Sequence, residues 1–375
     1  MKLNRIGRCT GIALSVTALL ALTACGSDDN SGSSSSSAAG SSSAAASADC
    51  AGKANLTAEG STAQQNAVDE FKKVWSQTCS GKQLAYNPTG SGPGVTNFIA
   101  KVVDFAGSDS ALNDEQVAPA TARCGGNPAW NLPLVFGPVA LVYNIDGVDK
   151  LVVSADVVSK IYQGQIKKWN DPAIAALNSG ATLPDADITP IYRSGDSGTT
   201  DNFQKYLGAA APDSWKLGAG KAFKGTAGEG ADKSAGVVQA VQAASGTIGY
   251  VEKSPAAAAG LKFAEIDSGA GAVALTDEST AKAVDSAKFK GDGQDLALDL
   301  NALYASKAAG AYPLMLATYE IVCSKGYDAD TAAAVKSFLT VSANQGQAGL
   351  SKIGYVALPD SFKERLLKSV SAISA

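Results

Sequence analysis

From residue 50 onward, apolar runs of strand length alternate with stretches in which apolar residues return every three or four positions. That alternation predicts α/β layers and no repeat architecture. The segment "KANLTAEGSTAQQNAVDEFKKVW" predicts a strand, a turn at Gly60-Ser61-Thr62 and a helix with Val68, Phe71, Val74 and Trp75 on one stripe. "LAYNPTGSGPGVTNFIAK" repeats the pattern with a glycine-rich turn between Tyr86 and Val95, and "VVDFAGSDSALNDEQV" repeats it with a turn at Gly107-Ser108-Asp109. Three successive strands therefore end in turns of small, hydroxyl-bearing residues, at the edge of a sheet where open α/β folds bind ligands.

Two longer runs, "NLPLVFGPVALVYNI" and "AYPLMLATYEIVCSK", are almost wholly apolar. They are either ordinary core strands or two strands crossing between lobes, which would make the middle of the chain an inserted domain; the pattern alone does not separate the two. Between them lie one expected helix, "SADVVSKIYQGQIKKWNDPAIAALN", a strand "ITPIYRS", a helix through "TTDNFQKYL" and a strand-like "GTIGYVEKS". The C-terminal stretch reads as largely helical, with Asp360 or Ser361 capping the last helix after Pro359. Residues 50–375 suit two domains better than one small core.

The N-terminus places the protein. Lys2, Arg5 and Arg8 precede an apolar run from Ile12 to Leu22 that is too short for a membrane span and reads as an export signal over residues 1–24. Leu22-Thr23-Ala24-Cys25 resembles a bacterial lipobox, so Cys25 is the expected lipidated N-terminus, holding the protein on the extracytoplasmic face of the cell membrane. Residues 25–49 then form the anchor and a Ser/Ala/Gly tether, whose coil reach is roughly 25–30 Å. Cys50, Cys79, Cys124 and Cys323 remain, enough for two disulfides. Three pairings are possible; proximity favours Cys50 with Cys79, leaving Cys124 with Cys323. No CxxC pair and no histidine support a zinc site, and no metal or cofactor is called for.

Charge and composition narrow the chemistry. Loss of the signal removes three positive charges and leaves 28 against 35, a net charge near −7, which argues against nucleic acid as a partner. Gly195-Asp196-Ser197-Gly198 matches the tetrapeptide around a protease serine, but a chain without histidine cannot build a Ser-His-Asp triad. A Ser-Lys pair, or a hydroxyl used only for hydrogen bonds, stays open. Thr62, Ser91, Asp109 and the Ser197/Thr199 turn all sit at strand-to-helix junctions, where free N–H groups and the helix dipole attract an oxyanion, and Arg193 can fork onto one.

The runs "GSTAQ", "TGSGPG", "FAGSDSAL", "IYQGQIKKWNDPAIAALN" and "YRSGDSGTTDNFQKYL", in this order over residues 55 to 372, resemble the PstS family, the phosphate-binding lipoproteins of bacterial phosphate ABC importers. The resemblance implies a non-enzymatic, two-lobed periplasmic-binding-protein fold of type II, with its ligand cleft between lobes joined by two crossing strands. Lobe 1 would take residues 50–138 and 313–375, and the inserted lobe 2 residues 139–312. The implied partners are inorganic phosphate and the permease and ATPase subunits of the importer. The implied phosphate-binding residues are Ser61, Thr62, Ala63, Ser91, Asp109, Arg193, Ser197, Gly198 and Thr199.

One position departs from the pattern: Gly195 stands where the family carries an aspartate that orients the arginine, and Asp196 follows it. Asp109 would accept the proton that phosphate carries and sulfate lacks, rejecting sulfate by charge and by an unpaired buried acceptor. The bland alternative for Asp109 is a simple N-cap of the next helix. Other classes compatible with the residues are a receptor for sulfate or molybdate, a secreted Ser-Lys hydrolase and a surface adhesin.

Overall fold

Residues 49–375 are described by a computed structural model; the expected signal peptide, Cys25 and nearly all of the tether lie outside the described residues. Nine strands form one sheet: β1 (Asn55–Gly60), β2 (Gln83–Asn87), β3 (Phe105–Ser108), β4 (Ala129–Asn144), β5 (Thr189–Arg193), β6 (Glu229–Ala231), β7 (Thr247–Glu252), β8 (Lys262–Phe263) and β9 (Met315–Cys323). Their order is β2-β1-β3-β9-β4-β7-β5-β6, with β8 also on β4. The three-strand end at β2-β1-β3 and the end at β7-β5-β6 are parallel, whereas β9 and β4 join them antiparallel.

The two long apolar runs are the pair β4 and β9, and β4 changes partner between Pro138, which faces Met315 of β9, and Val139, which faces Glu252 of β7. Strands buried on both faces read as continuous apolar runs, which is why these two lack a period-2 alternation. Each large apolar side chain buried here contributes about 1.5–3 kcal/mol relative to exposure. On the β1 side, Phe338 packs edge-on against Trp75 and stacks on Phe105, with centroids at 5.4 and 5.6 Å. On the β5 side, Phe203 stacks on Tyr250 at 4.1 Å, and Tyr162 meets Phe203 edge-on at 5.0 Å. The fold is the two-lobed one that the resemblance implied.

The helices that matter are α1 (Gln65–Thr78), α2 (Ser91–Ile99), α3 (Asp114–Arg123), α4 (Ala155–Tyr162), α5 (Pro172–Leu177), α6 (Gly198–Ala210) and α7 (Lys233–Ala243). The amphipathic stripe of α1 buries Val68, Phe71 and Trp75 as expected, while Val74 is only half-buried at its margin. The glycine-rich turn is shorter than its composition suggests. α2 starts at Ser91, and Gly92, Pro93 and Gly94 lie inside its first turns, where a proline's missing N–H costs nothing.

The single helix expected over residues 154–178 is two. The chain leaves α4 through Gly164 at φ +70°, buries Trp169 with its indole N–H on the Gly246 carbonyl, and restarts at α5 under the Asp171 cap. The last helix, Asp360–Ala372, has no side-chain cap; Asp360 is already its first residue and Pro359 holds the cap position. Cys50–Cys79 and Cys124–Cys323 form the two disulfides, as proximity favoured. Among the described residues no helix is long and apolar enough to cross a membrane.

Candidate functional site: a hydroxyl-lined cleft around Arg193 and Asp109

Asp109 leaves the end of β3 and is 2% exposed. It caps no helix: α3 begins five residues on, and Asn113 supplies its cap and capping box with Gln116. Its carboxylate instead gathers three hydroxyls, Ser61 at 2.5 Å and Thr318 at 2.7 Å on Oδ1 and Ser91 at 3.1 Å on Oδ2. Burial raises its pKa and the three donors pull it back, with the charge of Glu252 pushing up again, so the group settles at about 6. Near neutral pH it is mostly an ionised acceptor, and a carboxylate's four lone-pair positions leave room for one more donor.

Arg193 closes β5 at 4% exposure. Its backbone N–H donates to the Tyr250 hydroxyl at 3.2 Å, so the Phe203/Tyr250 stack fixes the strand end that carries it. Its Nη1 donates to Thr62 Oγ1 at 3.1 Å and to Ser234 Oγ at 3.5 Å, and Thr62 and Ser234 share a hydrogen bond of 2.8 Å. Its Nε is buried and has no hydrogen-bond partner. The replacement at Gly195 has a definite outcome: Arg193 joins none of the ion pairs among the described residues. Asp196 is exposed and lies over Gly92, whose N–H donates to the Asp196 carbonyl at 3.3 Å. Hydroxyls of Thr62 and Ser234, and no carboxylate, hold the guanidinium.

The turn after β5 brings the two sides together. Ser197 is the N-cap of α6, its Oγ accepting from the Thr200 N–H, and Gly198 is the helix's first residue. A Cβ on Gly198 would stand 2.6 Å from both the Asp109 Cβ and the Ser91 Oγ, so only glycine allows this approach. Asn202, one turn into α6, locks it by donating to the carbonyls of Asp109 at 2.6 Å and Gly198 at 2.8 Å. Thr199 donates its hydroxyl to Glu252 at the end of β7.

The nine residues singled out in the sequence thus converge in one buried cluster, with one qualification. The Ala63 N–H is already engaged, donating to Ser61 Oγ at 3.0 Å. Sequence reasoning missed Thr318, Ser234, Asn202 and Glu252. Thr318 had a signal: with Glu320 it makes the only polar pair at period 2 within "MLATYEIVC", hence one face of an otherwise apolar strand. Ser234 had none, being one serine among many at a helix start.

The arrangement offers anion chemistry and no nucleophile activation. Burial lowers the pKa of Lys221, whose carbonyl accepts the Ser197 N–H, but its ammonium forms no hydrogen bond with Ser197 Oγ. No group of residues that could hold a metal ion occurs among the described residues.

Residues 33–344 match the PBP superfamily domain. The chain is 46% identical over 376 residues to the phosphate-binding protein PstS 3 of Mycobacterium tuberculosis, covering all of both chains. It is 30% identical over 293 residues to the phosphate-binding protein PstS of Pasteurella multocida, covering 76% of this chain and 81% of that one. Among solved structures, the phosphate-binding protein from Stenotrophomonas maltophilia superposes with a TM-score of 0.66 over 84% of this chain and 94% of that one. At 19% identity that likeness concerns the fold alone. The chain belongs to the PBP superfamily and, within it, to the PstS phosphate-binding proteins.

Proposed function

We propose that this protein captures inorganic phosphate between its lobes and delivers it to the membrane permease of an ABC importer. The observation that carries the reading is a buried arginine with no carboxylate partner and a bare Nε, set among hydroxyls and helix N-termini opposite a carboxylate kept ionisable by three donors. A guanidinium buried without a counter-ion is costly unless an anion meets it. Asp109 selects which anion, because a tetrahedral oxyanion without a proton would leave its remaining acceptor position unfilled and add repulsion. Sulfate and molybdate are disfavoured on that ground.

In this reading Ser61, Thr62, Ser91, Arg193, Ser197, Gly198 and Thr199 surround the phosphate, with lobe 2 as the insert 139–312, and no covalent step occurs. Cys25 carries the lipid that keeps the protein at the membrane, and the tether lets it reach the permease and its ATPase. Calorimetric titration of the ligand-stripped protein should give tight one-to-one phosphate binding and no sulfate heat. Absence of phosphate binding by a folded protein would sink the reading. A serine-reactive fluorophosphonate should leave Ser197 unlabelled; labelling would favour the hydrolase.

A further inference from the structure

Glu252 ends β7 at 1% exposure, directly behind the cleft. One carboxylate oxygen accepts the Thr199 hydroxyl hydrogen, and the other is buried without a hydrogen-bond partner. A threonine hydroxyl has one hydrogen and two lone pairs. Committed to Glu252, that hydrogen cannot also reach a ligand, and Thr199 faces the cleft as an acceptor. The same holds on the opposite side, where Ser61, Ser91 and Thr318 all place their hydrogens on Asp109. Side-chain donors that stay uncommitted belong to the Arg193 Nε and Nη2, to the hydroxyl of Ser197, whose Oγ only accepts, and to whichever of Thr62 and Ser234 accepts the hydrogen bond between them.

Two acceptors now look into the site, Asp109 and Thr199, where a binding pocket for a fully deprotonated oxyanion would present donors. The charges agree with this count. Asp109 feels the negative charge of Glu252, and the positive charge of Lys221 is shared among Asp201, Asp109 and Asp196. The neighbouring Tyr250 and Tyr355 hydroxyls are held neutral by burial, Tyr250 pushed up to about 12 and Tyr355 higher still.

Resting on the phosphate reading above, we propose that Glu252 is a specificity-determining residue that acts through Thr199: it fixes the direction of the Thr199 hydroxyl so that the site demands a second P–OH and takes H2PO4⁻ in preference to HPO4²⁻. Glu252 need not touch the ligand. Its effect is to turn a hydroxyl that would serve any oxyanion into one that reads a proton.

The test is calorimetric titration of the full chain with phosphate, at pH values spanning phosphate's second ionisation, and with sulfate. The unaltered protein should lose affinity for total phosphate by about tenfold per pH unit above that ionisation, the limiting slope for one linked proton. Glu252→Gln, whose amide can donate to Thr199 and free its hydrogen, should flatten that slope and raise sulfate affinity by about tenfold, the worth of one hydrogen bond. A loss of phosphate affinity that is equal at every pH would mark Glu252 as mere support and overturn the proposal, as would a flat profile in the unaltered protein. Thr199→Val covers the case in which Glu252→Gln does not fold. It should flatten the slope by lowering affinity at the acid end, with no gain for sulfate; a retained slope refutes the idea. If the unaltered protein binds no phosphate at any pH, it is the phosphate reading itself that fails.

Discussion

Asp109 and Glu320 are two buried carboxylates on neighbouring strands, for Glu320 of β9 pairs with Gly107 of β3, two residues before Asp109. Desolvation acts first on both, yet they end differently. Three hydroxyls hold Asp109 at about 6, whereas Glu320, 0% exposed and with neither oxygen hydrogen-bonded, is pushed up to about 8. The Gln64 amide lowers Glu320 a little and the charge of Asp109 raises it. The contrast shows that donors, more than depth, decide whether a buried acid can act as an acceptor near neutrality. Glu320 is instead pushed by burial toward its neutral form, beside a Gln64 side chain whose carbonyl oxygen is itself buried without a partner. Gln64 donates to Tyr86 at 3.2 Å, and Tyr86 to the Ser61 carbonyl at 2.7 Å, so these two side chains support the loop from which Ser61 reaches Asp109.

The comparison breaks most visibly at Asp109. Asp109→Asn keeps shape and hydrogen-bonding capacity but removes the charge and lets the side chain donate. A site built around a ligand's proton discriminates by roughly 10⁴ to 10⁵. The substitution is expected to cut phosphate-over-sulfate selectivity by about a hundredfold, read by competition binding. Unchanged selectivity would mean that Asp109 only braces the three hydroxyls.

Glu320→Gln tests the other half, and its effect is on stability. The folded state holds the Glu320 proton from the ordinary value near 4.5 up to about 8, while the unfolded chain releases it at the lower value. The native state therefore binds more protons in that window, and stability falls as pH rises through it. Asp109 adds the same sign between 3.8 and about 6. Glu320→Gln should flatten the melting temperature between about pH 6 and 8, where Glu320 alone of the two still titrates, and raise stability at the alkaline end by a few kcal/mol. A decline as steep as that of the unaltered protein would show that Glu320 is ionised in the fold.

How much of this could be read from the chain differs between the two groups for a physical reason. Asp109 lies in "GSD", a turn whose small residues announce a strand end and a polar pocket, and Ser61, Ser91 and Arg193 lie in similar turns. Local chemistry declares such positions. Glu320 and Thr318 lie inside a buried strand, where the period-2 pattern shows a shared polar face but not what that face meets. Their partners come from β3 and from α1's leading turn, more than two hundred residues away in sequence. Ser234 shows the limit: it stands in for the orienting carboxylate that Gly195 lacks by accepting from Arg193, 41 residues away, and it bonds Thr62 on the opposite side, contacts that no local pattern encodes. The broken helix at residues 155–177 was legible in principle, since Gly164 and Asp171-Pro172 both interrupt the run, but an apolar periodicity running through them concealed it.

Thr318→Val is the finest probe of the contrast, because it moves Asp109 one step toward the condition of Glu320 without touching either acid. The valine nearly conserves volume and deletes one of three donors to Asp109. A hydrogen bond to an ionised group is worth about 1.5–3 kcal/mol, and the protonated acid loses less, so the Asp109 pKa must move upward. Carbon-13 carboxyl titration should show that rise, with net stability near neutral pH lower by about 1 kcal/mol. Sulfate rejection should survive while Asp109 remains ionised, since Ser61 and Ser91 still orient it. An unmoved Asp109 titration would mean that Ser61 and Ser91 suffice, and the difference between the two carboxylates would then rest on two hydroxyls and not three.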